Sequence, residues 1–451
     1  MREKVDLLNG SVHKQLLKLA WPVILGMFMG TLYNLVDTIW LGRLNAYAVA
    51  AVSVVFPVFF IFIAIGNGVG IGATSFIARY IGAKRPGDAR KVAHQSILII
   101  LFVSVIVTIF CTIFAKSIFT GLGATDDILP YVLDYGRVIF ITSSFLFLTF
   151  VATGILRGEG DTITPMKIMA ATTIFNIILD PFLIFGIGPF PRMEVFGAAV
   201  ATAISGLLNC VLLFRYLLSG KGFFKLELKK LRPDFPLIRK IIGVGLPATI
   251  SQIMVSGGMM LLMRNVAYFG TFALAAYGIG IRMNGVVVLP AVGMMSAVMA
   301  IVGQNVGAKN LHRAEKTTWT ALSFVTLFMS IMALLFFFFP RFWVIIFTSD
   351  IRVVEIGHWY FRIIAVSYLF RGMMLILGGA QQGAGDAVTP LVITGIAWFG
   401  IAAPLAHHLS ITRALGITGV WWGMLAAIIF SGLANIVMFK IGRWKKAEFK
   451  L

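Results

Sequence analysis

Charged side chains are scarce in this chain. Only 12% of its 451 residues are Asp, Glu, Lys or Arg, and 59% are hydrophobic, whereas a soluble domain carries about 25% charged residues. Apolar stretches of about 20 residues or more follow one another with little between them. This composition excludes a soluble globular protein and predicts an all-α polytopic membrane protein.

Cysteine is rarer still. Cys111 and Cys210 both lie inside apolar stretches, so we expect buried thiols and neither a disulfide nor a metal site. The first thirteen residues are polar and charged, and no cleavable signal peptide is expected. No phosphate-binding loop, metal-ligand spacing or nucleophile–base pair is visible. The sequence therefore predicts a protein that is not an enzyme, has no cofactor and draws its energy from an ion gradient.

Acidic residues are few relative to basic ones, with 18 Asp and Glu against 38 Lys and Arg and a net charge of +20. Most of the basic residues fall in segments that would face the cytoplasm if both termini lie there. That bias follows the positive-inside rule. It predicts a multi-pass protein of the plasma (inner) membrane, in contact with a lipid bilayer and with no nucleic-acid partner.

The apolar stretches predict twelve spans. Their expected bounds are 15–40, 50–78, 93–115, 132–155, 165–187, 195–218, 239–263, 273–303, 317–340, 357–380, 389–409 and 417–441. One of them contains Gly66–Gly72, whose alternating glycines superficially resemble a dinucleotide-binding loop. An apolar span offers no βαβ context for such a loop. We interpret the segment as a site of close helix packing or bending.

What is present is a repeat at a fixed offset of 225 residues. The matched residues extend over more than 140 positions, which indicates a duplicated structural unit. The pairs are Pro22 and Pro247, Gly82-Ala83-Lys84 and Gly307-Ala308-Lys309, Tyr135 and Tyr360, Arg137 and Arg362, Asp161 and Asp386, and Thr164-Pro165 and Thr389-Pro390. Six spans per copy is an even number, so both copies enter the membrane in the same orientation.

The duplication predicts two pseudosymmetric six-helix bundles. We expect an N-lobe over residues 1–220 with the ion-coupling site, a cytoplasmic basic linker over 221–238 and a C-lobe over 239–451. The linker contains Lys229 and Lys230. Two similar lobes favour alternating access over a fixed pore.

Two carboxylates break the symmetry of the repeat. Asp37 and Asp180 lie inside apolar spans, whereas the second copy has Leu262 and Leu405 at these positions. An ionisable side chain within the membrane is costly and is expected to face the protein interior or a wet cavity. Asn176 precedes Asp180 by four residues and shares its helix face. These carboxylates are candidates for loading and unloading a coupling ion, and the alternative is that each pairs with a nearby arginine or caps a helix.

Other oxygen-bearing side chains of the first copy are available to complete such a site. Tyr135, Asn176 and Thr202 offer hydroxyl and carbonyl oxygens, which suit Na⁺ as well as a hydrogen-bonded proton. A Na⁺ ion would be held by Asp37, Asn176, Asp180 and Thr202. The same oxygens serve both ions, so H⁺ and Na⁺ both remain possible.

A second set of residues is expected to line a substrate cavity. It comprises Asn34, Gln252, Met260, Arg282 and Asn284. Eight of the methionines fall between Met254 and Met299, and adaptable thioether side chains suit a promiscuous apolar surface. Ordinary packing is the equally good alternative for these methionines.

At this level the chain resembles the multidrug and toxic compound extrusion (MATE) family. The resemblance covers nearly the whole length and is carried by a set of local motifs. They are Trp21-Pro22, Asn34-Leu35-Val36-Asp37, Ile81-Gly82-Ala83-Lys84, Gly154-Ile155-Leu156-Arg157-Gly158, Gly160-Asp161-Thr162, Asn176-Ile177-Ile178-Leu179-Asp180-Pro181, Gly197-Ala198-Ala199 and Ala201-Thr202.

The resemblance implies the MATE-type fold, with two six-helix bundles and a central cleft, and antiport of organic cations against H⁺ or Na⁺. It also implies coupling at Asp37 and Asp180, and a first span that bends at Pro22. One branch, similar to NorM, has further acidic residues in spans seven and ten. Here those spans offer Gln252 and no carboxylate, so the chain looks more like the DinF-type branch.

The function expected from the sequence is thus a cation-coupled secondary antiporter, acting as a monomer, that exports cationic or amphipathic drugs or toxic compounds. The alternative within the superfamily is a flippase or exporter of lipid-linked or other amphipathic molecules. A membrane-bound transferase is a rival from another class. It would need a catalytic motif around His358, His407 or His408, and none is present.

Overall fold

The computed structural model of the protein describes residues 6–227 and 232–446, and within these ranges it contains helices and no β-strand. Twelve helical segments are long and apolar enough to cross a membrane. They coincide with the twelve predicted spans, so the all-α polytopic fold is confirmed. Lys229 and Lys230 of the predicted linker lie outside the described residues.

The first copy of the repeat contributes seven helices. They are α1 (Val12–Gly42), α2 (Ala46–Gly82), α3 (Pro86–Ile113), the short α4 (Ala115–Gly121), α5 (Leu129–Glu159), α6 (Ile163–Phe185) and α7 (Glu194–Leu218).

The second copy follows the same order. Its helices are α8 (Phe235–Ala267), α9 (Thr271–Gly307), α10 (Leu311–Phe338), the short α11 (Pro340–Ile345), α12 (Ile351–Ala384), α13 (Val388–Gly395), α14 (Ala403–His407) and α15 (Ile417–Ile441).

The starts of α6 and α13 are capped in the same way. The Asp161 carboxylate accepts hydrogen bonds from the Thr164 backbone N–H at 2.9 Å and from its hydroxyl at 2.6 Å. Asp386 accepts the equivalent bonds from Thr389 at 3.1 and 2.7 Å. A carboxylate at a helix N-terminus satisfies free N–H groups and complements the helix dipole. The shared cap gives these repeat partners the same structural role.

The helix that follows this cap differs between the copies. In the first copy, α6 runs without interruption to Phe185. In the second, π-helical turns over Ile396–Ala402 and His408–Thr412 flank α14. π-helical turns insert residues into the hydrogen-bond ladder and change which face a side chain occupies. The eleventh span is therefore not a geometric copy of the fifth.

Glycines allow α2 and α5 to cross at backbone contact. A Cβ at Gly154 would lie 2.5 Å from the carbonyl oxygen of Gly70. The Thr74 hydroxyl donates to the Gly154 carbonyl at 2.7 Å across the same crossing. Small residues permit such close approach in membrane helices. Gly66–Gly72 is thus a helix-packing segment, as the sequence predicted.

Internal packing divides the chain into two compact units. The first contains residues 22–227 and 232–246, and the second contains residues 6–21 and 247–446. The boundaries fall inside α1 and α8, at the repeat partners Pro22 and Pro247. The beginning of each of these helices therefore packs with the unit formed by the other half of the sequence. The division expected from the sequence, at residues 220 and 239, stays a prediction.

Within the second unit, the segment before α1 is anchored by polar contacts. The Asn305 side-chain amide donates to the Leu7 carbonyl at 3.1 Å. Arg313 donates to the Gln15 side-chain oxygen at 2.9 Å. Leu7 itself is buried. These contacts fix the beginning of α1 to α9 and α10.

Within the first unit, the segment before α8 is anchored by Gln95 of α3. The Gln95 amide donates to the Arg232 carbonyl at 2.8 Å, and its oxygen accepts from the Asp234 backbone N–H at 3.0 Å. An ion pair between Arg90 and Glu227, at 2.6 Å, lies nearby in sequence. The two units thus use different side chains for equivalent anchoring.

Candidate functional site

Asp37 lies in the last third of α1 and is buried inside the first unit, with 4% of its surface exposed. Its Oδ1 atom has no hydrogen-bond partner among the described residues. Trp40, one turn further on, packs edge to face on Phe185 with ring centroids 6.1 Å apart. The Arg43 guanidinium lies over the Trp40 ring at 4.8 Å and not on the carboxylate.

Asp180 is fully buried near the end of α6, where Pro181 follows it. The Asn176 amide donates to Asp180 Oδ1 at 3.3 Å, which confirms that these two residues share a helix face. Asp180 Oδ2 and Asn176 Oδ1 are buried and have no hydrogen-bond partner in the described part of the chain. The pair therefore has unused oxygen acceptors.

A tyrosine and a threonine complete the cluster. The hydroxyls of Tyr33 and Thr202 are hydrogen-bonded at 2.6 Å and join α1 to α7. Tyr135 of α5 is buried beside them. The charges of Asp37 and Asp180 act on each other and on both tyrosines, so the four side chains share one electrostatic environment. The sequence prediction missed Tyr33, although it precedes Asp37 by one helical turn.

No arginine or lysine neutralises the two carboxylates. Every ion pair within 4.0 Å in residues 6–227 and 232–446 involves other acidic residues. The expected alternative, in which each Asp pairs with a nearby arginine, therefore does not apply. An unpaired ionised carboxylate is costly in a low-dielectric interior. This arrangement can bind a proton or a small cation.

The cluster lies beside a cavity of about 330 Å³ within the first unit. Four helices, α1, α5, α6 and α7, contribute most of its walls. The walls are largely apolar, with Met27, Met169 and Phe150 among the lining residues. Gly30 also faces it, and a Cβ there would lie 3.0 Å from the Met169 methyl group. The lack of a side chain at Gly30 makes room for the Met169 thioether.

The two ends of the cavity differ in their polar residues. Tyr33, Asn176 and Thr202 line one end, next to the carboxylates, and Arg157 and Thr162 line the other. We call these the acidic end and the Arg157 end. Pro22 also lines the cavity. The cavity thus has apolar walls between two polar ends, one next to the carboxylates and one that carries the Arg157 guanidinium.

The residues expected to line a substrate cavity lie elsewhere. Asn34 is exposed on α1 and donates to the Gly30 carbonyl at 2.8 Å. Gln252, Met260 and Arg282 are exposed in the second unit, and Asn284 is buried there. None of the five lines the first-unit cavity. Their part in substrate binding stays a prediction.

Candidate metal ligands of the usual kind do not cluster. Within the described ranges there is no group of three or more His, Cys, Asp or Glu placed to hold a metal ion. A Na⁺ site at Asp37, Asn176, Asp180 and Thr202 would depend on two carboxylates and neutral oxygens. Cys111 and Cys210 are buried free thiols, as predicted.

Comparison with known proteins supports the interpretation of the repeat as a duplicated structural unit. The MatE family profile matches the chain twice, over residues 22–182 and 247–407, and these ranges together cover well over half of it. The two matches have the same 225-residue offset as the sequence repeat.

Curated relatives match over nearly the full length. The chain is 30% identical to the "Probable multidrug resistance protein YoeA" of Bacillus subtilis, covering 95% of this chain and 93% of that protein. It is 29% identical to a protein of Shewanella oneidensis named "FAD transporter", covering 98% and 97%.

A solved structure extends the likeness to three dimensions. "Crystal structure of MATE in the bent conformation" aligns with a TM-score of 0.93 and 27% identity over 99% of both chains. The fold, the repeated profile and the full-length relatives agree. This chain belongs to the MatE family of multidrug efflux transporters, which are membrane transporters and not enzymes.

Proposed function

We propose that this protein is a secondary antiporter that exports cationic or amphipathic compounds against an inward flow of H⁺ or Na⁺. The observation that carries the proposal is the pair of buried carboxylates, Asp37 and Asp180, with acceptor atoms that no group among the described residues satisfies. A buried acid without a counter-ion is stable when it holds a proton or a metal cation. Its occupancy therefore follows the ion concentration on the side from which it is reached.

The two carboxylates act as one coupling unit. Because their charges interact, protons leave the pair in steps that belong to both residues. Asn176 and Thr202 add neutral oxygens, and Tyr135 adds a hydroxyl at the edge of the cluster. Na⁺ is bound by the same set of oxygens when it replaces the proton.

Substrate occupies the neighbouring cavity in this proposal. Loading the acidic end with an ion changes the charge that an organic cation meets there, so the ion and the cation compete. Alternating access exposes the cavity to one side of the membrane at a time. Pro22 lies in the cavity wall and provides a place where α1 can bend. The protein acts as a monomer in the inner membrane with both termini in the cytoplasm.

The test is transport by purified protein in liposomes with pH and Na⁺ gradients imposed independently. Asp37→Asn and Asp180→Asn should each reduce gradient-driven export of a fluorescent organic cation to the level of empty liposomes. Asp134→Asn is the matched control, because Asp134 is exposed on α5 and takes no part in the cluster. Undiminished transport by both cluster variants would contradict the coupling assignment.

A second candidate function is export or flipping of amphipathic molecules that carry phosphate, including lipid-linked ones. The name of the relative from Shewanella oneidensis, "FAD transporter", supports it, because FAD carries phosphate groups. The same liposomes distinguish the two candidates when the organic cation is replaced by a labelled amphipathic phosphate ester.

A further inference from the structure

Arg157 is an unpaired cation in the wall of the first-unit cavity. It lies in the last turn of α5 and is only partly exposed. No hydrogen bond or ion pair of its guanidinium exists among the described residues. Arginine is rarely buried without a partner, because removing its charge from water is costly. The site therefore favours an anion.

The acidic residues nearest to Arg157 in sequence are engaged elsewhere. Asp161 caps α6, and it also accepts a hydrogen bond from the Tyr216 hydroxyl at 3.0 Å. The Glu159 carboxylate accepts from the Phe223 backbone N–H at 3.2 Å. Neither lies within 4.0 Å of the guanidinium. Internal neutralisation thus does not account for Arg157.

A neutral group suited to an anion lies at the same end. Thr162 is 3% exposed, and its hydroxyl has no hydrogen-bond partner within the described residues. Asn209 also lines the cavity, but its amide donates at 2.9 Å to the hydroxyl of Thr172, which lies between Pro165 and Asn176 on α6 and so away from the Arg157 end. A guanidinium together with a hydroxyl donor is well suited to a carboxylate or a phosphate.

The repeat indicates that the charge of Arg157 is not needed for packing. The partner of Arg157 at the 225-residue offset is Gln382, a neutral residue that is 9% exposed in α12. The capping acid and its threonine are shared, as Asp386 and Thr389, whereas Thr162 is replaced by Ala387. A neutral side chain thus serves at the equivalent end of α12. The guanidinium and the Thr162 hydroxyl both occur in the first copy and not at the matching positions of the second.

The distance between the two ends limits the size of a ligand. Pro165 and Asn176 both line the cavity on α6 and are eleven residues apart, which corresponds to about 16 Å along the helix. The apolar wall between the ends includes Met27 and Met169. An elongated amphipathic molecule of that length reaches both ends.

We propose that Arg157, with Thr162, forms a subsite for the anionic group of an amphipathic ligand, a carboxylate or a phosphate. The apolar body lies against the methionines, and any cationic group points towards Asp37 and Asp180. This proposal rests on the proposed use of the cavity as the substrate site. It adds that zwitterionic and anionic amphiphiles are ligands as well as cations.

The test uses a matched pair of fluorescent probes: a xanthene dye with a free carboxylate and its methyl ester. Equilibrium binding to purified protein in phosphatidylcholine nanodiscs is followed by fluorescence anisotropy, with no gradient imposed. We expect wild type to bind the acid about tenfold more tightly than the ester, since the acid alone offers the guanidinium a charge-assisted hydrogen bond. Equal or weaker binding of the acid would overturn the proposal without the use of any variant.

Variants then locate the subsite. Arg157→Gln introduces the side chain that the repeat carries and should weaken binding of the acid about tenfold while leaving the ester within twofold. Arg157→Lys should retain part of the preference. Arg137→Gln is the matched control, because Arg137 is exposed on the same helix and does not line the cavity. An equal loss for both dyes in Arg157→Gln would contradict anion recognition.

A further arm separates a soluble ligand from a lipid headgroup. In nanodiscs that contain phosphatidylglycerol, a lipid source of the anion predicts competition with the acid dye in wild type and none in Arg157→Gln. A soluble source predicts the same dye affinity with and without phosphatidylglycerol. Because binding is measured without a gradient, a failure of ion coupling in the Asp37→Asn protein does not affect this result.

Discussion

The two units of this protein use one helical plan around different polar interiors. In the first, Asp37, Asp180 and Asn176 are buried with acceptor atoms left over. In the second, Asn284 donates to the Tyr360 hydroxyl at 2.6 Å and accepts from the Tyr368 hydroxyl at 2.7 Å. The first interior contains acids with unsatisfied acceptors. The second contains a hydrogen-bonded network of Asn284 and two tyrosines with no acid in it, although the Tyr277 hydroxyl and the Trp421 indole N–H beside it have no partner among the described residues. The charge of Arg371 acts on the tyrosines of this second cluster.

In our proposal this difference separates an ion-binding site from a structural core. A hydrogen-bonded network without an acid stabilises the fold and has no proton or cation to exchange with solvent. Rings fill the space around it, with Tyr360 edge to face on Trp421 at 4.8 Å and Tyr277 stacked on Trp421 at 5.6 Å. Buried acids without hydrogen-bond partners destabilise the folded state unless they bind a proton or a cation. In our proposal the first unit is less stable without an ion because it contains a site at which an ion can exchange.

The largest effect is expected when the residues at one pair of matched positions, Asp37 and Leu262, are each replaced by the other type. Asp37→Leu installs the residue of the second unit and should abolish gradient-driven transport while raising the thermal unfolding temperature, because a buried unpaired acid is removed. Leu262→Asp makes the opposite change at a fully buried site. It should destabilise the protein by about 3 kcal/mol or more. Thermal unfolding in detergent and liposome transport measure the two effects.

Leu262→Met is the control for Leu262→Asp, since it alters shape without adding charge and should cost less than about 1.5 kcal/mol. A destabilised Asp37→Leu protein would argue that Asp37 is a structural residue. The contrast between the units would then not concern ion binding.

A smaller effect is expected at the glycines where long helices cross. A Cβ at Gly154 would lie 2.5–2.9 Å from three backbone atoms of Gly70. A Cβ at its repeat partner Gly379 would lie 2.5 Å from the side-chain Cγ of Met295 and no closer than 3.1 Å to the Met295 backbone. Backbone cannot move aside as a methionine can. Gly154→Ala should therefore cost about 2–3 kcal/mol, and Gly379→Ala about 1 kcal/mol, measured by thermal unfolding.

Gly206→Ala provides the baseline for this pair, because nothing lies within 4 Å of a Cβ there. It should be neutral or stabilising by up to about 1 kcal/mol, since alanine favours a helix over glycine. Equal costs at Gly154 and Gly379 would mean that both crossings are equally rigid.

The repeat partners Tyr135 and Tyr360 allow the two units to be compared by removing one hydroxyl from each. Tyr360→Phe leaves the Asn284 amide without its acceptor and should cost about 1–2 kcal/mol of stability with transport retained. Tyr135→Phe, at the equivalent position of the first unit, should change stability less and weaken the dependence of transport on the ion gradient by several-fold. The measurements are thermal unfolding and initial transport rates. The reverse pattern would place the ion site in the second unit.

Sequence patterns accounted for the spans, the repeat and the contact of Asn176 with Asp180, because these follow from hydropathy, offset and helical spacing. They did not reveal the cavity. Most of its lining residues come from four helices that are distant in sequence, and most are apolar or threonine, which are ordinary in any membrane span. The π-helical turns beside α14 have no local sequence signal. The sequence also gives no signal that the beginning of α1 packs in the second unit and the beginning of α8 in the first. The apolar pattern of α1 continues through Pro22 without a break.

The smallest expected effect concerns these helix beginnings. A hydrogen bond from the Asn9 side chain at 2.8 Å, and a second from the Leu8 N–H at 2.9 Å, hold the pKa of the Asp6 carboxyl below its ordinary value of 3.8. A lowered pKa in the folded state adds stability that is present above the unfolded pKa and is lost as the pH falls through the folded pKa.

Asp6→Asn should therefore lower the unfolding temperature slightly at pH 6, by about 1 °C or less for an exposed carboxylate, and the difference from wild type should be smaller at a second pH below the ordinary carboxyl pKa of 3.8. The first unit anchors the segment before α8 with Gln95, whose amide does not titrate. Gln95→Leu should thus lower the unfolding temperature by the same amount at both pH values. If the loss of unfolding temperature changed with pH to the same extent in both variants, titration of Asp6 would not be what distinguishes the two anchors.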